Sequence, residues 1–339
     1  MVEGYVLHVY GAPRYVKQAV ASVVSLRRHD LHRPVALYAP ADHLELLRSN
    51  GLDDLFQVLE VLEPEFCSIV GFKHHVDRFM PFDRCLFVDA DMIWCRNPDP
   101  LWRQLSAYPF TATGLERSDF WFGGPKGAAI LADFVFDRRR TTMKRFGLTY
   151  LPRVQAGMIY AADRTVAAEV CRLAVSFLGR RSETHFRSRL DEGRSEESCE
   201  WSLAMAFSSL DLAVFPWYQA QMSPQLDYVE GLVEHDVDFE TVRCVYYSRH
   251  SVYGLRGFPS TALRDAMISI LTRFPGRGDY MTVTPFVLHF AWLRHKRPYL
   301  EFAERCWTRE AEVRGARAAR TATEIADSNP AAYLPSSAI

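Results

Sequence analysis

The chain has almost no net charge: 40 Lys and Arg stand against 41 Asp and Glu, leaving −1 over 339 residues. Such a balance gives no electrostatic case for a nucleic-acid partner or an anionic membrane. No apolar run approaches the roughly 20 residues needed to span a bilayer, which leaves only peripheral membrane contact open. Residues 1–10 lack both a basic start and a long apolar run, so no secretory leader is expected. The seven cysteines are scattered, with no Cys-x-x-Cys pair, which points to reduced thiols and a cytoplasmic setting. Gly123-Gly124-Pro125-Lys126-Gly127 has no Ser or Thr after a Gly-Lys pair, so it reads as a turn and not a phosphate loop. There is no internal repeat, and no Ser-His-Asp or Cys-His set stands out. With 48% hydrophobic and 24% charged residues, the chain reads as an ordinary globular protein with one large or two modest domains.

The first third alternates strand-like and helix-like segments. Tyr5 to Tyr10, Pro34 to Tyr38, Gln57 to Leu62 and Leu86 to Val88 read as strands. Residues 14–29 and 41–49, with apolar positions at helical spacing, read as helices, as do residues 69–80 up to Pro81. This rhythm predicts an α/β fold with a doubly wound, mostly parallel, Rossmann-like sheet, whose ligands gather at the carboxyl ends of the strands. Residues 128–145, closing in Arg138-Arg139-Arg140, and residues 163–178 read as helices, and 200–209 as a buried one. The charged stretch 180–198 reads as an exposed loop or lid. From about residue 308 the chain turns rich in Ala, Arg, Ser and Thr, and its last residues are expected to be poorly ordered.

The chemically telling segment is Leu86-Phe87-Val88-Asp89-Ala90-Asp91. Side chains alternate along an extended chain, so Asp89 and Asp91 can share a face with Ala90 opposite. Two carboxylates at the end of a buried strand need a neutralising partner. Oxygen ligands suit a hard divalent cation, Mn²⁺ or Mg²⁺.

Together with its neighbours this segment resembles the GT-A, family-8-type retaining glycosyltransferases, the group of glycogenin and bacterial galactosyltransferases. The resemblance is specific over the first third. Tyr15, in Gly11-Ala12-Pro13-Arg14-Tyr15, matches an early tyrosine that stacks on uracil. Lys73, sixteen residues before Asp89, matches a basic residue facing the donor. Asp89-Ala90-Asp91 matches the metal motif, and Asn97-Pro98-Asp99-Pro100-Leu101-Trp102 resembles the family's next segment after that motif. The resemblance implies one GT-A domain over residues 1–305, with a nucleotide-binding part at 1–105 and C-terminal acceptor-side elements at 106–305. A partly disordered extension would fill 306–339.

Further on the match loosens. Arg153-Val154-Gln155-Ala156-Gly157 resembles the family's Asn-Ala/Ser-Gly segment, with Gln155 as a donor-sugar contact and Gly157 allowing close backbone approach. Glu200 stands where the family has an Asp, but Trp201 replaces the following Gln. The third metal ligand implied is a histidine, His289 in Val287-Leu288-His289-Phe290, with His250 as a competitor, and Lys296 would meet the diphosphate. Phe120-Trp121-Phe122 reads as core packing or an acceptor wall. The implied function is metal-dependent, hexosyltransferase-type transfer from a nucleotide sugar, UDP-linked, with retention. The acceptor is a glycan, lipid, protein or small molecule. The nucleotide group would be held by Tyr15, Lys73, Asp89, Ala90, Asp91 and Lys296, the metal by Asp89, Asp91 and His289. Glu200 and Gln155 are the catalytic candidates. Two other readings stay open. A haloacid-dehalogenase-like phosphatase also carries Asp-x-Asp after a strand. A non-catalytic, nucleotide-binding module would suit the altered Asn, Gln and Gly positions.

Overall fold

A computed structural model of the chain describes residues 1–118, 123, 135–246, 260, 262–263, 266–267, 270, 281–291 and 295–328. Its centre is a seven-stranded sheet. The strands are β1 (Glu3–His8), β2 (Val35–Ala39), β3 (Val58–Val61), β4 (Arg84–Val88), β6 (Phe110–Leu115), β7 (Arg153–Ala161) and β8 (Phe215–Pro216), in the order β3-β2-β1-β4-β7-β6-β8. β1 to β4 are mutually parallel. β7 alone runs antiparallel, between β4 and β6. The mostly parallel α/β sheet expected from the β-α rhythm is therefore present.

The alternation within each strand builds two cores. Tyr5, Leu7, Leu86 and Val88 face one layer, and Val6, Cys85 and Phe87 face the other. The first layer holds α1 (Arg14–Arg27), which buries Val16, Ala19, Val20 and Val23. The second layer is closed by helices further along the chain. The short α2 (Ala41–Ser49) packs its Leu44 and Leu47 inward.

The helix expected over 69–80 is broken. α3 is only Ile69–Lys73, capped by the Ser68 hydroxyl, and a single 3-10 turn follows at Val76–Arg78. The apolar spacing survives, since Phe72, Val76 and Phe79 all reach the second core. The break falls where Lys73 and His74 turn inward: Lys73 Nζ donates to the Ala156 carbonyl at 2.8 Å, and His74 Nε2 meets the Ser202 hydroxyl at 2.9 Å.

After α4 (Asp99–Leu105), α5 is Arg138–Arg145, capped by the Asp137 carboxylate on the Arg140 N–H. The basic run opens this helix instead of closing one. Phe120-Trp121-Phe122, Gly124 to Gly127, residues 128–134 and His250 lie outside the described residues. α6 (Arg164–Gly179) and α7 (Glu200–Ser209) cover the second face. Between them, residues 180–198 lie mostly at the surface, as expected, but are tied down at two points. Phe186 is buried and stacks on Trp201 at 4.9 Å, and Glu197 holds the Ser188 hydroxyl.

A second sheet joins distant parts of the chain. β5 (Met92–Trp94) pairs antiparallel with β13 (Val287–His289), which pairs parallel with β9 (Gln225–Asp227). A third holds β10 (Val233–His235), β11 (Val242–Tyr246) and β12 (Met281–Val283). The last helix, α8, runs over Arg297–Ser328. It buries Tyr299, Phe302, Cys306 and Trp307 in the first core. An extension starting at residue 306 would begin inside this helix, among buried side chains. Residues 329–339 lie outside the described residues.

Candidate metal and nucleotide site

The turn between β4 and β5 carries the acid pair. Its backbone is pinned from both sides: the Asp89 N–H donates to the Gly157 carbonyl at 2.9 Å, and the Phe290 N–H to the Asp91 carbonyl at 2.9 Å. The Tyr299 hydroxyl lies within hydrogen-bond reach of the Ala90 and Gln18 carbonyls, so α8, α1 and the turn meet at one point. The pairing of β5 with β13 sets His289 beside the two acids. His289 Nε2 lies 3.4 Å from Asp91 Oδ1 and 3.8 Å from Asp89 Oδ2. Asp89, Asp91 and His289 each offer one ligand atom, all within 4.8 Å of one another. Among the described residues this is the one such group of His, Cys, Asp or Glu. Two carboxylate oxygens and an imidazole nitrogen fit a divalent cation of intermediate hardness such as Mn²⁺.

Two lysines flank the acids. Lys73 Nζ is 2.7 Å from Asp89 Oδ1, and Lys296 Nζ is 2.6 Å from Asp91 Oδ2. Burial works against the charge on Lys73, but Asp89 beside it raises its pKa. Burial likewise works against the charge on Asp91, yet Lys296 and His289 hold it well below the usual carboxylate range. For His289, burial favours the neutral ring, but Asp91 and Asp227 outweigh it and push the imidazole up to about 10. The cluster is thus a partly buried set of ionisable groups, in which Lys73, Asp91 and His289 are shifted by their neighbours, the kind of arrangement concentrated at functional sites.

These groups line a cleft of about 570 Å³. Its wall includes Gly11, Ala12, Tyr15, Ile69, Lys73, Asp89, Ala90, Asp91 and Lys296, so the sequence's nucleotide-side candidates converge. His289, 3% exposed, is not on the cleft wall but turns its Nε2 toward the two acids that are. A larger cleft of about 740 Å³ lies on the third sheet, beside Glu234, Asp236 and Glu240, but no ligand group of the kind formed by Asp89, Asp91 and His289 accompanies it among the described residues.

Two sequence candidates land elsewhere. Gln155 is 6% exposed and is not on the cleft wall. Its Oε1 accepts from the Gly157 N–H at 2.8 Å and from Gln225 Nε2, while its Nε2 lies 3.3 Å from His289 Nδ1. It stands behind the histidine, because β7 turns this side chain inward. Gly157 is likewise not open for a sugar: a Cβ there would come within 2.9 Å of Gln155 Oε1 and of Met92 Cε. Glu200 begins α7, half-buried and off the cleft wall. Trp201 is a core side chain at 1% exposure.

Other residues took part without being anticipated. Glu196 lines the cleft and accepts both the Tyr10 hydroxyl and the Ile69 N–H at 2.7 Å. His8, stacked on Phe72 with centroids 3.9 Å apart, is kept neutral by burial and by Lys73, its pKa lowered to about 3. Gln225-Leu226-Asp227 repeats, in β9, the polar-apolar-polar pattern of Asp89-Ala90-Asp91. That repeat was the available signal for Asp227, which is 1% exposed.

No protein-family model matches the chain, and no curated protein does. Among solved structures, GlyE, a glycosyltransferase of Streptococcus pneumoniae, is similar at 14% identity over 94% of this chain and 64% of that one, with a TM-score of 0.49. The galactosyltransferase LgtC is similar at 11% identity over 92% of this chain and 96% of that one, with a TM-score of 0.46. Mouse xyloside xylosyltransferase 1 is similar at 14% identity over 67% of this chain and 88% of that one, with a TM-score of 0.43. All three are glycosyltransferases, but at these levels of likeness the functional reading has to stand on the site itself. No helix among the described residues is long and apolar enough to cross a membrane.

Proposed function

We propose that the chain is a GT-A glycosyltransferase that moves a sugar from a nucleoside diphosphate sugar, UDP-linked, to an acceptor hydroxyl. The observation carrying this reading is the convergence in one cleft of two carboxylates, two lysines and a half-buried tyrosine, with a buried histidine against the carboxylates. Asp89, Asp91 and His289 would hold Mn²⁺ or Mg²⁺. When bound, the cation supplies Lewis-acid neutralisation of the departing diphosphate.

The chain's own groups divide the remaining work. Lys296 adds a positive charge at the Asp91 end, where diphosphate oxygens would come to lie. Lys73 ties Asp89 to the Ala156 carbonyl and so fixes the acid's direction. Tyr15 offers a face to the base. Glu196 and Tyr10 present polar groups on the same wall as Asp89, where hydroxyls of the sugar can bond. Transfer with retention is what the family resemblance implies. Glu200 remains a residue to test for catalysis. Gln155, off the cleft wall and turned toward His289, is better placed to act on that ring than to touch the sugar.

The test is hydrolysis and transfer across a panel of UDP-sugars with and without Mn²⁺. Asp91→Asn is expected to abolish metal-dependent turnover and weaken nucleotide binding. Intact binding and turnover in that variant would sink the proposal. Phosphate release from simple esters without any nucleotide sugar would favour the phosphatase. Tight nucleotide binding without turnover on any acceptor would favour the binding module.

A further inference from the structure

His289 Nδ1 has two neighbours that make opposite demands on it. Asp227 Oδ1 lies at 3.1 Å and Gln155 Nε2 at 3.3 Å. The register of β13 against β9 puts Asp227 directly opposite His289, and both are buried, at 1% and 3% exposure. The Gln155 amide is not free to turn over. Its Oε1 is held by the Gly157 N–H and by Gln225 Nε2, so the NH₂ group faces the ring. That NH₂ can only donate.

An imidazole nitrogen either carries a proton or offers a lone pair. Donation from Gln155 requires a bare Nδ1 and so puts the neutral ring's proton on Nε2. Nε2 is the nitrogen that faces Asp91 and Asp89. A ring in that state has no lone pair for a cation. A carboxylate can only accept, so Asp227 demands the proton on Nδ1 and leaves the Nε2 lone pair pointing at the two acids. Charge-assisted hydrogen bonds are about twice as strong as neutral ones, so Asp227 prevails.

We propose that Asp227 is a positioning residue that holds His289 in its metal-ligating tautomer against an opposing pull from Gln155. The proposal rests on reading Asp89, Asp91 and His289 as a cation site. Second carboxylates behind ligating histidines set tautomer and ring direction in general, and their loss typically costs roughly 10–100-fold in metal affinity. The opposition by a fixed amide makes the demand sharper in this chain, because deleting Asp227 hands the ring to Gln155 instead of leaving it free.

The experiment measures Mn²⁺ binding, without nucleotide, to the full chain and to three variants. Asp227→Leu is expected to lose about 10–100-fold in affinity. Asp227→Leu combined with Gln155→Leu is expected to recover part of that loss, since nothing then favours the Nε2 proton. Gln155→Leu alone is expected to bind Mn²⁺ at least as well as the original chain. On ¹⁵N-histidine-labelled protein loaded with Cd²⁺, a diamagnetic probe, His289 should carry its proton on Nδ1. An unchanged Mn²⁺ affinity in Asp227→Leu, or a double variant no better than the single one, overturns the proposal. If the Asp227 variants fail to fold, a tenfold loss in Gln155→Leu or a Cd²⁺-bound ring protonated on Nε2 overturns it as well. Absence of Mn²⁺ and Cd²⁺ binding by the original chain would instead overturn the cation-site reading beneath it.

Discussion

Lys296 Nζ and Asp91 Oδ2 are joined at 2.6 Å, across 205 positions of sequence, with both side chains largely buried. The pair occupies an oxygen that a cation would also use. On the proposed function, lysine and metal would compete for Asp91, and an incoming diphosphate would offer the ammonium a new partner.

Lys296→Met should accordingly separate two affinities. Mn²⁺ binding to the nucleotide-free chain strengthens, by on the order of tenfold, a typical coupling between two ligands of one site. UDP binding in the presence of Mn²⁺ weakens by a similar factor. Titration calorimetry reads both. Parallel losses for metal and nucleotide would contradict the competition.

The His289 imidazole gives metal binding a defined pH dependence. Its pKa in the folded chain is about 10, above the ordinary 6.5. A proton must leave before the ring can act as a ligand, so Mn²⁺ affinity rises as pH climbs from about 6.5 towards 10, at up to tenfold per unit. Metal-free stability moves the other way. A raised pKa contributes stabilisation that is complete below 6.5 and is lost as pH passes through about 10. Chelator-treated protein should thus melt at lower temperature at pH 9 than at pH 6.5, roughly, with the trend reduced in His289→Gln.

Gly157→Ala tests packing beneath the site. The added Cβ would meet Gln155 Oε1 and Met92 Cε at 2.9 Å, inside a buried layer. Overpacking of this kind costs about 1–3 kcal/mol. Because Gly157 also accepts the Asp89 N–H, Mn²⁺ affinity should fall along with the melting temperature. A variant with unaltered metal affinity would show that the turn is held independently of β7.

Tyr15 lines the same cleft as the acids, half-buried, with the Arg14 guanidinium 5.2 Å from its ring centre. Loss of a stacked base typically costs about 1–3 kcal/mol, so Tyr15→Ala should raise the Kd for UDP about 5- to 150-fold. Mn²⁺ binding without nucleotide should not change. A simple phosphate or pyrophosphate should bind equally well to both forms, because neither has a base.

The first four strands of the central sheet, and the first two helices between them, were legible because each announces itself locally. Leu86-Phe87-Val88 needs only its own apolarity, and α1 only its spacing. The motif singled out Asp89 and Asp91, and the resemblance Lys73, His289 and Lys296; the structure brings these five side chains together. What stayed hidden was set by long-range register. Whether Gln155 faces the cleft or the histidine depends on β7 pairing with β4, which no short window of sequence contains. Asp227 acquires its meaning only when β9 lies against β13. The early end of α3 has the same origin, since Lys73 and His74 leave the helix for partners 83 and 128 positions away.

The join of β5 to β13 also orders events in time. The strand bearing Asp89 and Asp91 is made long before the segment bearing His289 and Lys296. At ~5–20 residues per second, the two are separated by roughly 10–40 s of synthesis. During that interval the nascent chain carries an acid pair without its histidine or its second lysine, and β5 without its partner strand. The grouping of Asp89, Asp91 and His289 is therefore one of the last features the molecule acquires. A chain released early would have most of the central sheet without His289 or Lys296, so on the proposed function an incomplete copy would not compete with the finished protein for a metal–nucleotide complex.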